Sequence, residues 1–145
     1  MVDTFFTEAQ KTQIVDAIKE AEKNTSGEVR LHIENECKKD VLDRATEVFV
    51  TLDMHKTVLR NGVLFYLSVK NRKFAILGDA GINAVVPGHF WEEIKTNAIE
   101  KFKNNLFTEG LCDGILAAGT QLKAHFPYQD DDINELPDDI SISNN

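Results

Sequence analysis

The residues best able to do chemistry in this 145-residue chain are carboxylates and amides placed where apolar runs break. "KFAILGDAGI" (73–82) ends a strand-like segment in Gly78 and Asp79 and breaks again at Gly81. "SGE" (26–28) and "RNG" (60–62) each precede another apolar or alternating run, and they supply Glu28, Asn61 and the cation Arg60. Oxygen donors carried on loops are what a hard dication such as Ca2+ or Mg2+ requires. Gly and Asp are also favoured in turns, so the chemistry depends on whether these three segments meet.

The elements that must position them follow from periodicity. Thr7 and Gln10 make a capping-box pattern ahead of Ile14, Ala17, Ile18 and Ala21, a helical face. "EVRLHIE" (28–34) alternates and reads as a half-exposed strand. A second helix starts near Asp40, with Val41, Ala45, Val48, Phe49 and Leu52 inward. "VLFYLSV" (63–69) is apolar on both faces and reads as a central strand, with "FAILG" (74–78) as its hairpin partner across "KNRK". Pro87 and Gly88 announce a helix with Trp91, Ile94, Ala98 and Phe102 inward. A last helix spans about 108–124, with Leu111, Ile115, Ala118 and Leu122 inward.

This order predicts an α/β/α sandwich, a small mixed sheet flanked by about four helices. The first two strands should be parallel and the third antiparallel. Their directions bring Glu28, Asn61 and Asp79 to one edge, with Arg60 close by. Glu109 and Asp113, at the start of the last helix, are expected to add donors there, although acidic groups in a first turn also answer the helix dipole.

The net charge of −8 is uneven: six of the 24 acidic side chains, and no Lys or Arg, fall in residues 126–145. Residues 1–127 are expected to form the domain and 128–145 a disordered acidic tail, having too little apolar surface to offset ordering entropy. "DDDINE" starts like a calcium loop but has Glu135 at the glycine position and Ser141 at the last ligand position. No basic patch points to nucleic acid. The N-terminus has neither a basic start nor an apolar core of a signal peptide, and no run of about 18 apolar residues spans a membrane. A cytoplasmic monomer with two reduced thiols, Cys37 and Cys112, is expected.

"GEVRLHIE", "RNGVLFYLSVKNRKFAILGDAGI" and "FTEGLCDGILAAGTQLKAHFP" together resemble the TPM domain family, over roughly residues 5–127. The resemblance rests on Asn61-Gly62, on Gly78-Asp79-x-Gly81-Ile82, and on the Gly-containing helix before Phe126-Pro127. It implies an α/β/α domain and divalent-cation binding at acidic loop residues, falling first on Asp79 and then on Glu28, Glu109 and Asp113. A thylakoid-lumen relative is described as an acid phosphatase, so the resemblance also implies phosphomonoester hydrolysis as an alternative. Here "HKTVLRNG" stands where many relatives carry a Gly-rich, Asp-containing loop.

Phosphatase chemistry needs a nucleophile or metal-activated water, plus positive charge for the phosphoryl oxygens. Cys-x5-Arg fails, since Arg44 lies one residue late after Cys37. Asp53-x-His55-x-Thr57 imitates a nucleophilic Asp-x-Asp-x-Thr, but it follows helical rather than strand periodicity. His32, His55, His89 and His125 lack metal-ligand spacing and read as surface or capping residues. The route left open is metal-assisted hydrolysis at Asp79 with Arg60 on the phosphate. The expected function is therefore non-catalytic: binding Ca2+ or Mg2+ at the acidic edge and acting through a protein partner.

Overall fold

The computed structural model describes residues 2–128 and 137–143. Helix α1 (Glu8–Glu22) begins at the anticipated box: the Gln10 amide donates to Thr7 Oγ1 at 3.1 Å, and the Thr7 amide donates to Gln10 Oε1 at 2.9 Å. Strand β1 (Glu28–Glu34) leads to α2 (Val41–Thr51), whose first amides donate to the side chain of Asp40. Strands β2 (Gly62–Ser68) and β3 (Lys73–Gly78) form the hairpin. Then come a one-turn α3 (Ala80–Asn83), α4 (Phe90–Lys103), α5 (Phe107–His125) and a short β4 (Ser141–Ser143).

The sheet has the order β3-β2-β1-β4. β1 and β2 are parallel, with Glu28 opposite Gly62, and β2 and β3 are antiparallel, with Val63 opposite Gly78. Val29, Leu31 and Ile33 of β1 and Val63, Phe65 and Leu67 of β2 pack against α1, α4 and α5. Leu64 and Tyr66 project into a second cluster with Ala45, Val48 and Phe49 of α2. These are the three layers of an α/β/α sandwich, and every inward residue predicted for α1 is buried. The α1–α5 contact depends on a missing side chain. A Cβ on Gly119 would lie 2.6 Å from Ala21 Cα, a backbone atom that cannot step aside.

Two expectations need correction. β1 is buried along its whole length rather than half-exposed. Its polar face carries Glu28, Arg30, His32 and Glu34, and protein groups take the place of water around it. Alternation in sequence does not distinguish a solvated face from an internally hydrogen-bonded one. Second, part of the expected disordered tail is a strand. β4 pairs parallel with β1, Ser141 opposite His32 and Ser143 opposite Glu34. Three residues are too few to show a period, but they satisfy the backbone groups of an otherwise open edge. Asp130, Asp131, Asp132 and Glu135 lie outside the described residues.

Candidate functional site

The three segments do meet at one end of the sheet. The Glu28 amide donates to the Asn61 carbonyl at 3.4 Å, and the Asp79 amide donates to the Gly62 carbonyl at 2.9 Å. The strand directions read from sequence are therefore right. What each side chain does there differs from the expectation.

Asp79 is bound on both oxygens. Arg60 Nε donates to Oδ2 at 2.7 Å and Arg60 NH2 to Oδ1 at 2.8 Å, while the Ala80 amide donates to Oδ1 at 2.8 Å and so caps α3. Arg60 adopts a left-handed backbone (φ 53°), and its pKa is raised by the hydrogen bonds and charge of Asp79. Gly81 allows this turn to close: its amide donates to the Arg60 carbonyl at 2.8 Å, and a Cβ there would lie 2.1 Å from the Leu59 carbonyl oxygen. Two strand spacings of about 4.8 Å separate β3 from β1, so Asp79 starts about 10 Å from Glu28. Both Asp79 oxygens are thus engaged by protein donors, the Arg60 guanidinium and the Ala80 amide.

Asn61 is buried and directs its amide towards Ser26 Oγ at 3.4 Å. Glu109 is exposed on the first turn of α5, and Asp113, one turn on, pairs with Lys101 of α4. The beginning of α5 lies by the β2–β3 turn, where Arg72 covers Phe107. Its end reaches the Glu28 rim, where Thr25 Oγ1 donates to the Leu122 carbonyl at 3.0 Å and the Ser26 amide to Phe126 at 3.0 Å. Glu109 and Asp113 thus sit at the far end of the sheet, which corrects their assignment to the rim. α5 runs in the reverse of the direction that assignment required.

The carboxylates that line one cavity at the start of β1 are Glu22, Glu28 and Asp138. A cavity of about 390 Å³ at this end is lined by Glu22, Asn24, Ser26, Glu28, Tyr128 and Asp138, together with Lys19 of α1 and Lys23, its C-cap. Glu22 is the last residue of α1, and its Oε2 accepts from the Val29 amide at 2.7 Å. Its pKa is pushed up to about 10 by burial, by a hydrogen bond with the Asp138 carboxyl, and by the charges of Glu28 and Asp138, against the lowering influence of the Val29 amide. A carboxyl raised so far keeps its proton, which suits the Glu22 hydrogen bond to Asp138. Sequence reading missed Glu22 because it follows the last apolar position of a helix. Asp138 was assigned to the acidic tail. The available signal was spacing: Glu22 and Glu28 flank the short "KNTSG" reversal.

A second polar cluster lies on the same face of β1. Glu34, fully buried, accepts from Arg44 Nε and NH2 at 2.9 Å each, and from the Tyr66 hydroxyl. His32 Nε2 lies 3.1 Å from Glu34 Oε1, and its Nδ1 lies 2.8 Å from Ser141 Oγ. Burial pushes the Glu34 pKa up, but the donors of Arg44, Tyr66 and His32 outweigh it and hold it at about 2. Burial lowers the His32 pKa, and burial together with Glu34 raises that of Tyr66. His32 is thus a buried residue fastening β4, not the surface residue expected.

Asp53 follows α2 in a left-handed conformation and pairs with Lys56 at 3.2 Å, so it does not stand at a strand end as a nucleophilic Asp would. Among the described residues, no group of three or more His, Cys, Asp or Glu side chains could hold a metal ion, and no helix is long and apolar enough to cross a membrane. Cys37 and Cys112 are free thiols.

The sequence matches the TPM domain over residues 2–121. The NMR structure of BA42 from the psychrophilic bacterium Bizionia argentinensis is similar at 48% identity and a TM-score of 0.88, over 96% of each chain. Two more distant NMR structures share the fold. The N-terminal domain of a P. gingivalis protein has 17% identity and a TM-score of 0.71, over 86% of this chain and 82% of that one. The N-terminal domain of cg2496 from Corynebacterium glutamicum has 9% identity and a TM-score of 0.67, over 87% and 80%. No curated protein matches. With the family match covering most of its length and the sandwich of the same shape, the chain belongs to the TPM domain family.

Proposed function

We propose that this protein binds a divalent cation, Ca2+ or Mg2+, at the start of β1 through Glu22 and Asp138, with Glu28 beside them, and acts without catalysis through a protein partner. The observation that carries this reading is the meeting of the Glu22 and Asp138 carboxyls in one open cavity. The carboxylates there, with the Ser26 hydroxyl, offer oxygen donors, which suit a hard cation. Two carboxylates do not complete such a shell; the Ser26 hydroxyl, backbone carbonyls and water would supply the rest. A cation in place of the Glu22 proton would offset the repulsion among the carboxylates.

Asp138 lies three residues before β4, so filling the site would fasten the C-terminal segment to β1. That coupling gives the cation a means of changing what a partner meets. Val58 and Leu59, exposed just before Arg60 at this end of the sheet, offer an apolar contact. Arg60, the candidate for holding a phosphoryl oxygen, has its Nε and NH2 on Asp79. This favours binding over phosphoester hydrolysis.

The test is a Ca2+ and Mg2+ titration of the full chain followed by amide NMR shifts. Saturable changes are expected at Gly27, Glu28, Val29 and Asp138, and they should vanish in Glu22→Gln/Asp138→Asn. Changes confined to residues 130–135, or unaltered in that variant, overturn the site. Cation-dependent turnover of a phosphate ester that disappears in the same variant would establish the enzyme instead.

A further inference from the structure

At the opposite end of the sheet, a pocket of about 260 Å³ opens beside the β2–β3 turn. Its floor is Leu67, Phe74 and Phe102, all buried, and Phe107 forms one wall, stacked on Phe102 at 5.0 Å. Two exposed cations, Arg72 and Lys103, stand at its border. Among the described residues neither makes an ion pair, and the guanidinium of Arg72 lies 5.4 Å from the centroid of the Phe107 ring.

The backbone of Arg72 is left-handed (φ 54°), at a turn position that Gly or Asn would fill with less strain. Arg60 is left-handed in the same way, and there the side chain has an evident purpose, the two-pronged grip on Asp79. Arg72 has the same backbone and no carboxylate. Backbone strain retained at an exposed cation over an aromatic floor is grounds for a functional hypothesis.

We propose that this pocket binds a small amphipathic carboxylate, a medium-chain fatty acid, with its carboxylate between Arg72 and Lys103 and its chain over Phe74, Phe102 and Phe107. A neutral apolar ligand would make no use of the two cations. A sugar phosphate would leave the phenylalanine surface without a match, since among the described residues Arg72 and Lys103 are the only polar ones lining the pocket. Ligand pockets run from about 300 Å³ upward, so a chain of roughly 8–10 carbons fits better than a long one.

The experiment is a titration of the full chain with decanoate, below its micellar concentration, read by amide NMR shifts, with 1-decanol as the uncharged control. Saturable changes are expected at Leu67, Phe74, Phe102 and Phe107, with decanol at least ten-fold weaker. Arg72→Gly suits the left-handed turn and keeps the fold, so its spectrum should match the parent away from the pocket. Affinity for decanoate should fall at least ten-fold in that variant, and also in Lys103→Gln, an exposed change. Absence of saturable shifts, equal binding of decanol, or undiminished binding in both variants overturns the proposal.

Discussion

Arg60 and Asp79, 19 residues apart, are joined by two hydrogen bonds of 2.7 and 2.8 Å that tie the loop before β2 to the end of β3. A carboxylate at the end of a buried strand therefore has a role in the fold. It caps α3 and fixes the direction in which the chain leaves the sheet.

Removing that carboxylate should harm stability and spare cation binding. Loss of the cap alone costs about 1 kcal/mol, so Asp79→Ala should shift urea unfolding by at least that amount. Asp79→Asn keeps an oxygen acceptor for the Ala80 amide and should lose less. In both variants the folded protein should bind Ca2+ with the affinity of the parent by calorimetry. A ten-fold loss in Asp79→Asn would return Asp79 to the ligand set.

Gly81→Ala should be among the most damaging single-methyl changes in the chain. The added Cβ meets backbone oxygens, Leu59 at 2.1 Å and Arg60 at 2.7 Å, so no rotamer relieves it. Overpacking of this kind costs about 1–3 kcal/mol, occasionally more. Gly88→Ala, where a Cβ would meet nothing within 4 Å, is the matched control and should leave the denaturation midpoint almost unchanged.

How far the sequence disclosed the molecule can be traced residue by residue. Strand order and direction at Gly62 and Gly78 were legible because apolar runs of strand length are bounded there by turn residues. The inward faces of α1 and α5 were legible from their period. The use made of Asp79 was not, because it depends on the left-handed turn at Arg60, which bulky side chains seldom adopt. Glu22 and Asp138 lie 116 positions apart, and they meet only because β4 docks on β1, a pairing of three residues with no periodic signature. The buried role of His32 and Glu34 was hidden for the same reason, since β4 and Arg44 cover them.

The Glu34 cluster should make the protein acid-sensitive at unusually low pH. Its folded pKa of about 2 lies below the ordinary value of 4.5, so the stabilisation is complete above pH 4.5 and is lost as pH falls through 2. A difference of that size corresponds to an amount on the order of 3 kcal/mol. Glu34→Gln should lose stability at pH 7 and, relative to the parent, show a shallower decline between pH 5 and 2 in urea titrations. Parallel curves for the two proteins would show that other carboxylates govern acid unfolding.

Glu22 should show the opposite dependence. Its folded pKa is raised to about 10, so between pH 4.5 and 10 the folded chain keeps a proton that the unfolded chain releases, and stability declines as pH rises through that window. Glu22→Gln imitates the protonated state. It should be roughly as stable as the parent at pH 4 and more stable at pH 8, by about 1 kcal/mol or more, measured by urea denaturation without divalent cations. Saturating Ca2+ should then stabilise the parent at pH 8 and leave Glu22→Gln little changed. The same substitution thus improves the cation-free fold and removes the response to the ion, as expected where a site holds like charges together for a ligand. A variant no more stable than the parent at pH 8 would mean that Glu22 ionises freely, and its retained proton would have to be abandoned.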